Sequence, residues 1–148
     1  MWCIIQDIKL SKTELTTEEI YNWVHTFSAD QLEKQGWTHQ TLMTNCQRYE
    51  NMVLYKNFQI AALIHYHKTA EDLLEILFLG TSPLCENQGL MSQLLDDFLA
   101  REQNKSIWLE CREDNLRARH LYAKKGFVEV GRRRAYYKDG SAAILFNY

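Results

Sequence analysis

The chain has 148 residues, 46% of them hydrophobic and 24% charged, with a formal net charge of −2. These values are those of an ordinary soluble globular protein and favour one domain over residues 1–148. The near-neutral balance gives no global pull towards nucleic acid or an anionic membrane, and no apolar run is long enough to span a bilayer.

Trp2 to Ile8 reads as a first strand, and these first residues lack the basic and apolar regions of a signal peptide. A cytoplasmic protein is the expectation. Thr16-Thr17-Glu18-Glu19 is a helix start, a hydroxyl cap followed by acids in the first turn. Ile20, Trp23, Val24 and Phe27 follow at helical spacing. A second helix is expected between Ala29 and Tyr49, with a break near Gly36. Met52 to Tyr55 and Phe58 to Tyr66 read as strands around a Lys56-Asn57 turn. Leu73 to Thr81 is a fourth strand. Leu90, Met91, Leu94, Leu95, Phe98 and Leu99 share one helical face. Ile107 to Cys111 is a strand, and Asn115 to Lys125 is a helix capped by Asn115 and stopped by Gly126. Val128 to Tyr137 and Ala142 to Asn147 flank Lys138-Asp139-Gly140-Ser141, a hairpin signal. The order β-α-α-β-β-β-α-β-α-β-β predicts one mixed sheet with helices packed on it.

Cys3, Cys46, Cys85 and Cys111 show no C-x-x-C spacing and read as free thiols. His65 and His67 would share a strand face; the spacing admits a metal, but nothing nearby completes a site, and two polar residues on an exposed face is the preferred reading.

Three features bear on chemistry. Gly80 lies inside an apolar strand, where glycine marks a bulge, a close approach or a packing need. Next comes Ser82-Pro83-Leu84-Cys85-Glu86-Asn87-Gln88-Gly89-Leu90-Met91-Ser92. A helix starting near Asn87 or Gln88 would aim unpaired N–H groups at this loop, and such groups bind phosphate without a basic side chain. Glu86 would repel a phosphate unless turned outward, so the loop alone reads as a capped turn or a phosphate cradle. Third, Glu110 stands between Leu109 and Cys111, which face the other way. Apolar surroundings would raise its pKa and make it a base near neutral pH; the alternative is an ion pair with Arg112 or another cation. Tyr122 shares a helical face with Ala118 and Leu121, as a core residue or a proton donor to a thiolate.

The segments "EILFLGTSPLCENQGLMSQLL" and "LECREDNLRARHLYAKKGFVEVGRRRAYYKDGSAAILF" resemble the second half of GNAT-superfamily N-acetyltransferases, in particular the RimI-like protein N-terminal (ribosomal-protein alanine) acetyltransferases. The Leu-Glu-x-Arg-x-x-Asn run, the Leu-Tyr, the Gly-Phe and the Tyr-Tyr carry the match, which covers about half the chain. The resemblance implies an α+β fold: a single mixed, mostly antiparallel, splayed sheet with helices on both faces. It implies acetyl-CoA as donor, an amine as acceptor and no metal. It places Glu110 on the general base, Tyr122 on the general acid and Asn115 on a pantetheine contact. Leu79 and Thr81, flanking Gly80, fall on backbone positions that pair with the pantetheine arm. Glu86, Asn87, Gln88, Gly89, Leu90 and Met91, with Ser92 after them, fall on the pyrophosphate loop; Glu86 replaces Gln or Arg there, and Met91 replaces a small residue. A peptide or protein N-terminus is the expected acceptor. Tyr21, Trp23, Trp37 and Tyr49 leave open an aromatic pocket for a small amine, or serve as core. A non-catalytic CoA-sensing module and a hydrolase using Cys85 or Cys111 are the rival readings.

Overall fold

The computed structural model describes the backbone of residues 9–12, 16–34 and 37–148, and side chains at residues 16–26 and 37–148. The strand expected over Trp2 to Ile8 lies outside the described residues. The elements are β1 (Lys9–Lys12), α1 (Thr17–Lys34), α2 (His39–Arg48), β2 (Glu50–Lys56), β3 (Gln59–Ala70), β4 (Leu73–Thr81), α3 (Leu90–Arg101), β5 (Ser106–Arg112), α4 (Leu116–Lys124), β6 (Val128–Arg133) and β7 (Ala143–Asn147), with a 3₁₀ turn over Pro83–Cys85. Their order is the one expected from hydrophobic periodicity.

Local signals explain the boundaries. Thr16 and Glu19 form a reciprocal capping box: the Glu19 N–H donates to Thr16 Oγ1 at 3.2 Å, and the Thr16 N–H donates to Glu19 Oε2 at 2.9 Å. α1 then continues to Lys34, and a second box at Thr38 and Thr41 opens α2. The β2–β3 turn sits one residue later than expected. Asn57 and Phe58 both adopt positive φ, 51° and 63°, as a two-residue hairpin of this type requires, so Phe58 is a turn residue and not the start of β3. Gly126, at φ 94°, ends α4 as expected. β6 stops at Arg133, four residues short of the expected Tyr137, because the chain there turns into a loop.

The seven strands form one sheet in the order β1-β2-β3-β4-β5-β7-β6. Among the described residues only β4 and β5 run parallel; the other pairs are antiparallel. Alternation along each strand sorts the core onto two faces. Met52, Leu54, Ala62, Ile64, Ile107, Leu109 and Cys111 pack with Leu94, Leu95 and Phe98 of α3 and Tyr122 of α4. Val53 and Leu63 pack on the other face with Ile20 and Val24 of α1 and Leu42 and Cys46 of α2. Helices therefore cover both faces. Among the described residues, no helix is long and apolar enough to cross a membrane.

The pairing of β4 with β5 positions everything that follows. It runs only from Leu73↔Ser106 to Ile76↔Leu109. Opposite β3, Ile76 pairs with Tyr66 and Phe78 with His65, so Leu77 is an extra residue in β4. This bulge shifts the alternation: Leu74 and Ile76 face the α3 core before it, and Leu79 faces that core after it. Beyond Leu77 the two parallel strands diverge and the sheet splits.

Candidate active site

The split opens a cleft of ≈ 770 Å³. One wall is β4 from Glu75 to Thr81 with the loop that follows it; the other is β5 from Glu110 to Arg112 with the start of α4. Tyr136 and Tyr137, from the β6–β7 loop, and Trp37 complete the lining.

β4 keeps a free edge inside the cleft. The Ser82 N–H donates to Ala61 O at 2.8 Å, which makes Ala62↔Thr81 a pair without direct hydrogen bonds between its members. Thr81 therefore points its N–H and C=O away from β3, and so does Leu79, two residues back. Gly80 points its own towards β3. It needs to be glycine for another reason: a Cβ there would stand 2.6 Å from the Phe78 ring and 3.1 Å from the Trp23 ring. Of the readings left open for Gly80, the packing need is the one seen: the bulge of β4 lies at Leu77, and the amide of Gly80 is taken up by the sheet. Sequence periodicity could not separate these two glycine roles.

The loop after β4 leads into α3 at Leu90, later than the start expected at Asn87 or Gln88. Asn87 has φ 59° and Gly89, the N-cap, φ 74°. Nothing lies within 4 Å of a Cβ built on Gly89, so backbone conformation, not crowding, selects glycine here. Gln93 is the first residue of α3 whose amide reaches an acceptor at the helix start, Gly89 O at 3.0 Å. The amides before it are left over, as at any helix start. Asn87, Gly89, Leu90, Met91 and Ser92 line the cleft. Gln88 does not: its amide reaches Leu84 O at 3.2 Å and the Lys56 ammonium. The Glu86 carboxylate accepts from Arg117 Nη1 at 3.2 Å, so it is neither free nor turned away.

Glu110 lies on the face opposite Leu109 and Cys111, as expected, but not in apolar surroundings. Its Oε2 accepts from Arg133 Nη1 at 3.0 Å, and its side chain is 29% exposed. Arg112 binds elsewhere. It pairs with Asp114 at 3.2 Å and with Asp139 at 2.6 Å, and lies 4.9 Å above the Tyr137 ring. Asp139 in turn accepts from the Ser141 N–H and Oγ at 3.0 and 2.7 Å. These bonds hold Asp139 well below the usual carboxylate range, with the Arg112 bond the largest cause. β5 thereby clamps the β6–β7 loop and fixes Tyr136 and Tyr137 beside Glu110.

Tyr122 enters the cleft from the α3–α4 side, packed against Phe127 and Phe146. Burial pushes its hydroxyl far above the usual tyrosine value. Tyr137 is pushed up to about 12, by burial first and by the Glu110 charge second. Both hydroxyls hold their protons throughout the neutral range. Asn115 lines the cleft while its Oδ1 accepts the Ala118 N–H at 3.1 Å to cap α4. Cys85 and Cys111 also line the cleft, and burial raises the Cys111 thiol to about 11, which disfavours it as a hydrolase nucleophile.

Of the expected site residues, Glu110, Tyr122, Leu79, Thr81, Glu86, Asn87, Gly89, Leu90, Met91, Ser92 and Asn115 come together around one cleft with Gly80, and Gln88 stands outside it. Of the four aromatics, Trp37 alone lines the cleft. Tyr21 and Trp23 pack on the α1–α2 core, and Tyr49 lies 4.3 Å from the His67 ring. Of the two histidines, His67 is partly exposed, but His65 is not on an open face: it is 2% exposed, with Nδ1 2.7 Å from Asn51 Oδ1. Periodicity gave no sign of Tyr136, Tyr137, Arg133 and Arg117. The adjacent tyrosines were visible only as part of a family resemblance, and ion pairs across 23 and 31 residues leave no local pattern.

These donors suit an extended, amide-bearing arm along β4 that ends in phosphates at the start of α3. Residues 17–127 match the Acetyltransferase (GNAT) family. The [ribosomal protein bS18]-alanine N-acetyltransferase of Haemophilus influenzae is 34% identical over 109 residues, 71% of this chain and 73% of that protein. The enzyme of the same name from Escherichia coli K12 is 32% identical over 105 residues, 68% of this chain and 70% of its own length. The crystal structure of the E. coli ribosomal-protein-S18-alanine N-acetyltransferase superposes with a TM-score of 0.75 at 26% identity, covering 95% of this chain and 92% of that one. An Elizabethkingia anophelis GNAT acetyltransferase with acetyl-CoA bound shares the fold, with a TM-score of 0.77 at 17% identity over 95% of this chain and 97% of its own. With its split sheet, its open helix start at α3 and a match over residues 17–127, the chain belongs to the GNAT family of acetyltransferases.

Proposed function

We propose that the protein transfers an acetyl group from acetyl-CoA to the α-amine of a peptide or protein N-terminus. One observation carries the chemistry. Glu110 and Tyr122 belong to opposite faces of the sheet, yet both line the split between β4 and β5. A base and an acid on either side of one gap can serve one bond exchange within it.

Acetyl-CoA supplies the acetyl group as a thioester. The cleft-facing groups of Leu79 and Thr81 and the Asn115 side chain hold the arm. The amides at the start of α3 hold the phosphates. Glu110, oriented by Arg133, takes the proton from the acceptor ammonium, directly or through a water. The neutral amine forms the new C–N bond as the C–S bond breaks. A cleft-facing β4 amide meets the negative charge that develops on the thioester oxygen. Tyr122, kept protonated in the resting site by its burial, donates to the departing thiolate, and the second proton that leaves the newly acylated nitrogen restores its hydroxyl. Holding both partners in one cleft adds the gain of proximity.

The N-terminal acceptor rests on the named activity of the relatives. The test is the initial rate of acetyl transfer to a panel of peptides with free N-termini, the same peptides N-terminally blocked, and small primary amines. Transfer to free N-termini alone is expected. Preference for small amines would move the acceptor class, and no turnover with intact acetyl-CoA binding would favour a sensing module.

A further inference from the structure

Glu86 is where the loop departs most from a phosphate cradle, since its charge opposes the ligand. It also has a specific partner. Arg117, in the first turn of α4, reaches across the cleft to Glu86 in the loop before α3, with Nη1 to Oε2 at 3.2 Å. Both residues line the cleft, at the end where the leftover amides of α3 lie. Their side chains are 65% and 44% exposed, so the pair sits in water. Such a pair adds little to stability and opens easily to a competitor.

We infer that Arg117 is a phosphate-binding residue for the donor, supplying from α4 the cation that the loop lacks. The inference rests on the reading that acetyl-CoA occupies this cleft. A guanidinium has five N–H donors, so Arg117 can keep one bond to Glu86 and present others to phosphate oxygens. Glu86 then holds the guanidinium at the cleft mouth, and its own charge is offset by the residue it holds. The pyrophosphate and the 3′-phosphate of the nucleotide share this chemistry.

The test is titration calorimetry of CoA with the full chain and three variants. Removing Arg117 alone also exposes the Glu86 charge, so the informative comparison is E86Q against E86Q/R117A. If Arg117 meets phosphate, the double variant binds CoA about tenfold more weakly than E86Q, in line with a charge-assisted bond in water. The gap should close between about 0.01 M and about 1 M salt. R117A should lose at least as much as that, with its melting temperature unchanged because the side chain is exposed. Repeating the pair with 3′-dephospho-CoA tells which phosphate is met: a gap that persists assigns the pyrophosphate, and one that vanishes assigns the 3′-phosphate. Equal affinities of E86Q and E86Q/R117A for CoA would overturn the inference, leaving Arg117 as a neutraliser of Glu86. Failure of the unaltered protein to bind CoA would overturn the donor assignment itself, and this role with it.

Discussion

The two ends of the cleft are built from different materials. At the α3 end the groups proposed to hold the donor are main-chain amides, fixed by the helix start and by Gly89 at φ 74°, with Arg117 beside them. At the end proposed to react they are side chains brought from four elements: Glu110 from β5, Tyr122 from α4, Arg133 from β6, and Tyr136 and Tyr137 from the loop after it. Each end pairs a carboxylate with an arginine, Glu86 with Arg117 and Glu110 with Arg133. The difference lies in what each carboxylate does. A backbone cradle tolerates an altered side chain, because its donors do not depend on which residue stands at Glu86. A side-chain constellation has no such reserve.

The largest expected effect follows from that contrast. Glu110→Gln should lower turnover by about 10²–10⁴-fold, the usual worth of a positioned general base. Donor affinity should barely change, because Glu110 stands at the other end of the cleft from the helix-start amides. The loss should shrink as pH rises towards and past about 8, where a free α-amine is already neutral. Initial rates against pH with one accepted peptide check this. Near wild-type turnover at neutral pH would make Glu110 a structural partner of Arg133.

Tyr122→Phe separates the acid from the base. Turnover should again fall, but alkaline pH should bring no recovery, since the thiolate still leaves without its donor. Burial holds the Tyr122 hydroxyl above the usual tyrosine value, so the unaltered enzyme should show no alkaline decline from this group up to about pH 10. A decline that disappears in the Phe variant at pH 8 would contradict the assignment.

A third prediction keeps these profiles interpretable. Burial pushes His65 down to about 4, below its ordinary value of 6.5. The unfolded chain then takes up a proton that the folded chain refuses. Stability should therefore fall as pH drops from about 6.5 to about 4, by on the order of 3 kcal/mol, and then level off. Urea melts at pH 7, 6 and 5 measure the slope, and His65→Gln should flatten it. A slope that survives the substitution would place the acid sensitivity elsewhere.

The smallest effect concerns the wall that both ends share. Gly80→Ala drives a methyl group into the Phe78 ring and should cost about 1–3 kcal/mol through overpacking. The amides of Leu79 and Thr81 point away from Gly80's partner strand, so donor affinity should follow only if the β4 edge itself shifts. Thermal unfolding alongside CoA titration distinguishes the two.

The sequence by itself determined the element order. Hydrophobic spacing, the Thr16–Glu19 box, the Asn115 cap and Gly126 act within a few residues, and local physics is enough to place them. It also pointed to Glu110, through the outward step between two inward residues on β5. Tertiary structure alone decided that Leu77 is the bulge, that Gly80 answers to the rings of Phe78 and Trp23, and that Glu86 meets Arg117 and Glu110 meets Arg133. It also decided that His65 is buried. These depend on which segments lie side by side in the folded sheet, and no periodicity along the chain encodes a neighbour such as Arg117 or Arg133, which arrives from 31 or 23 residues away.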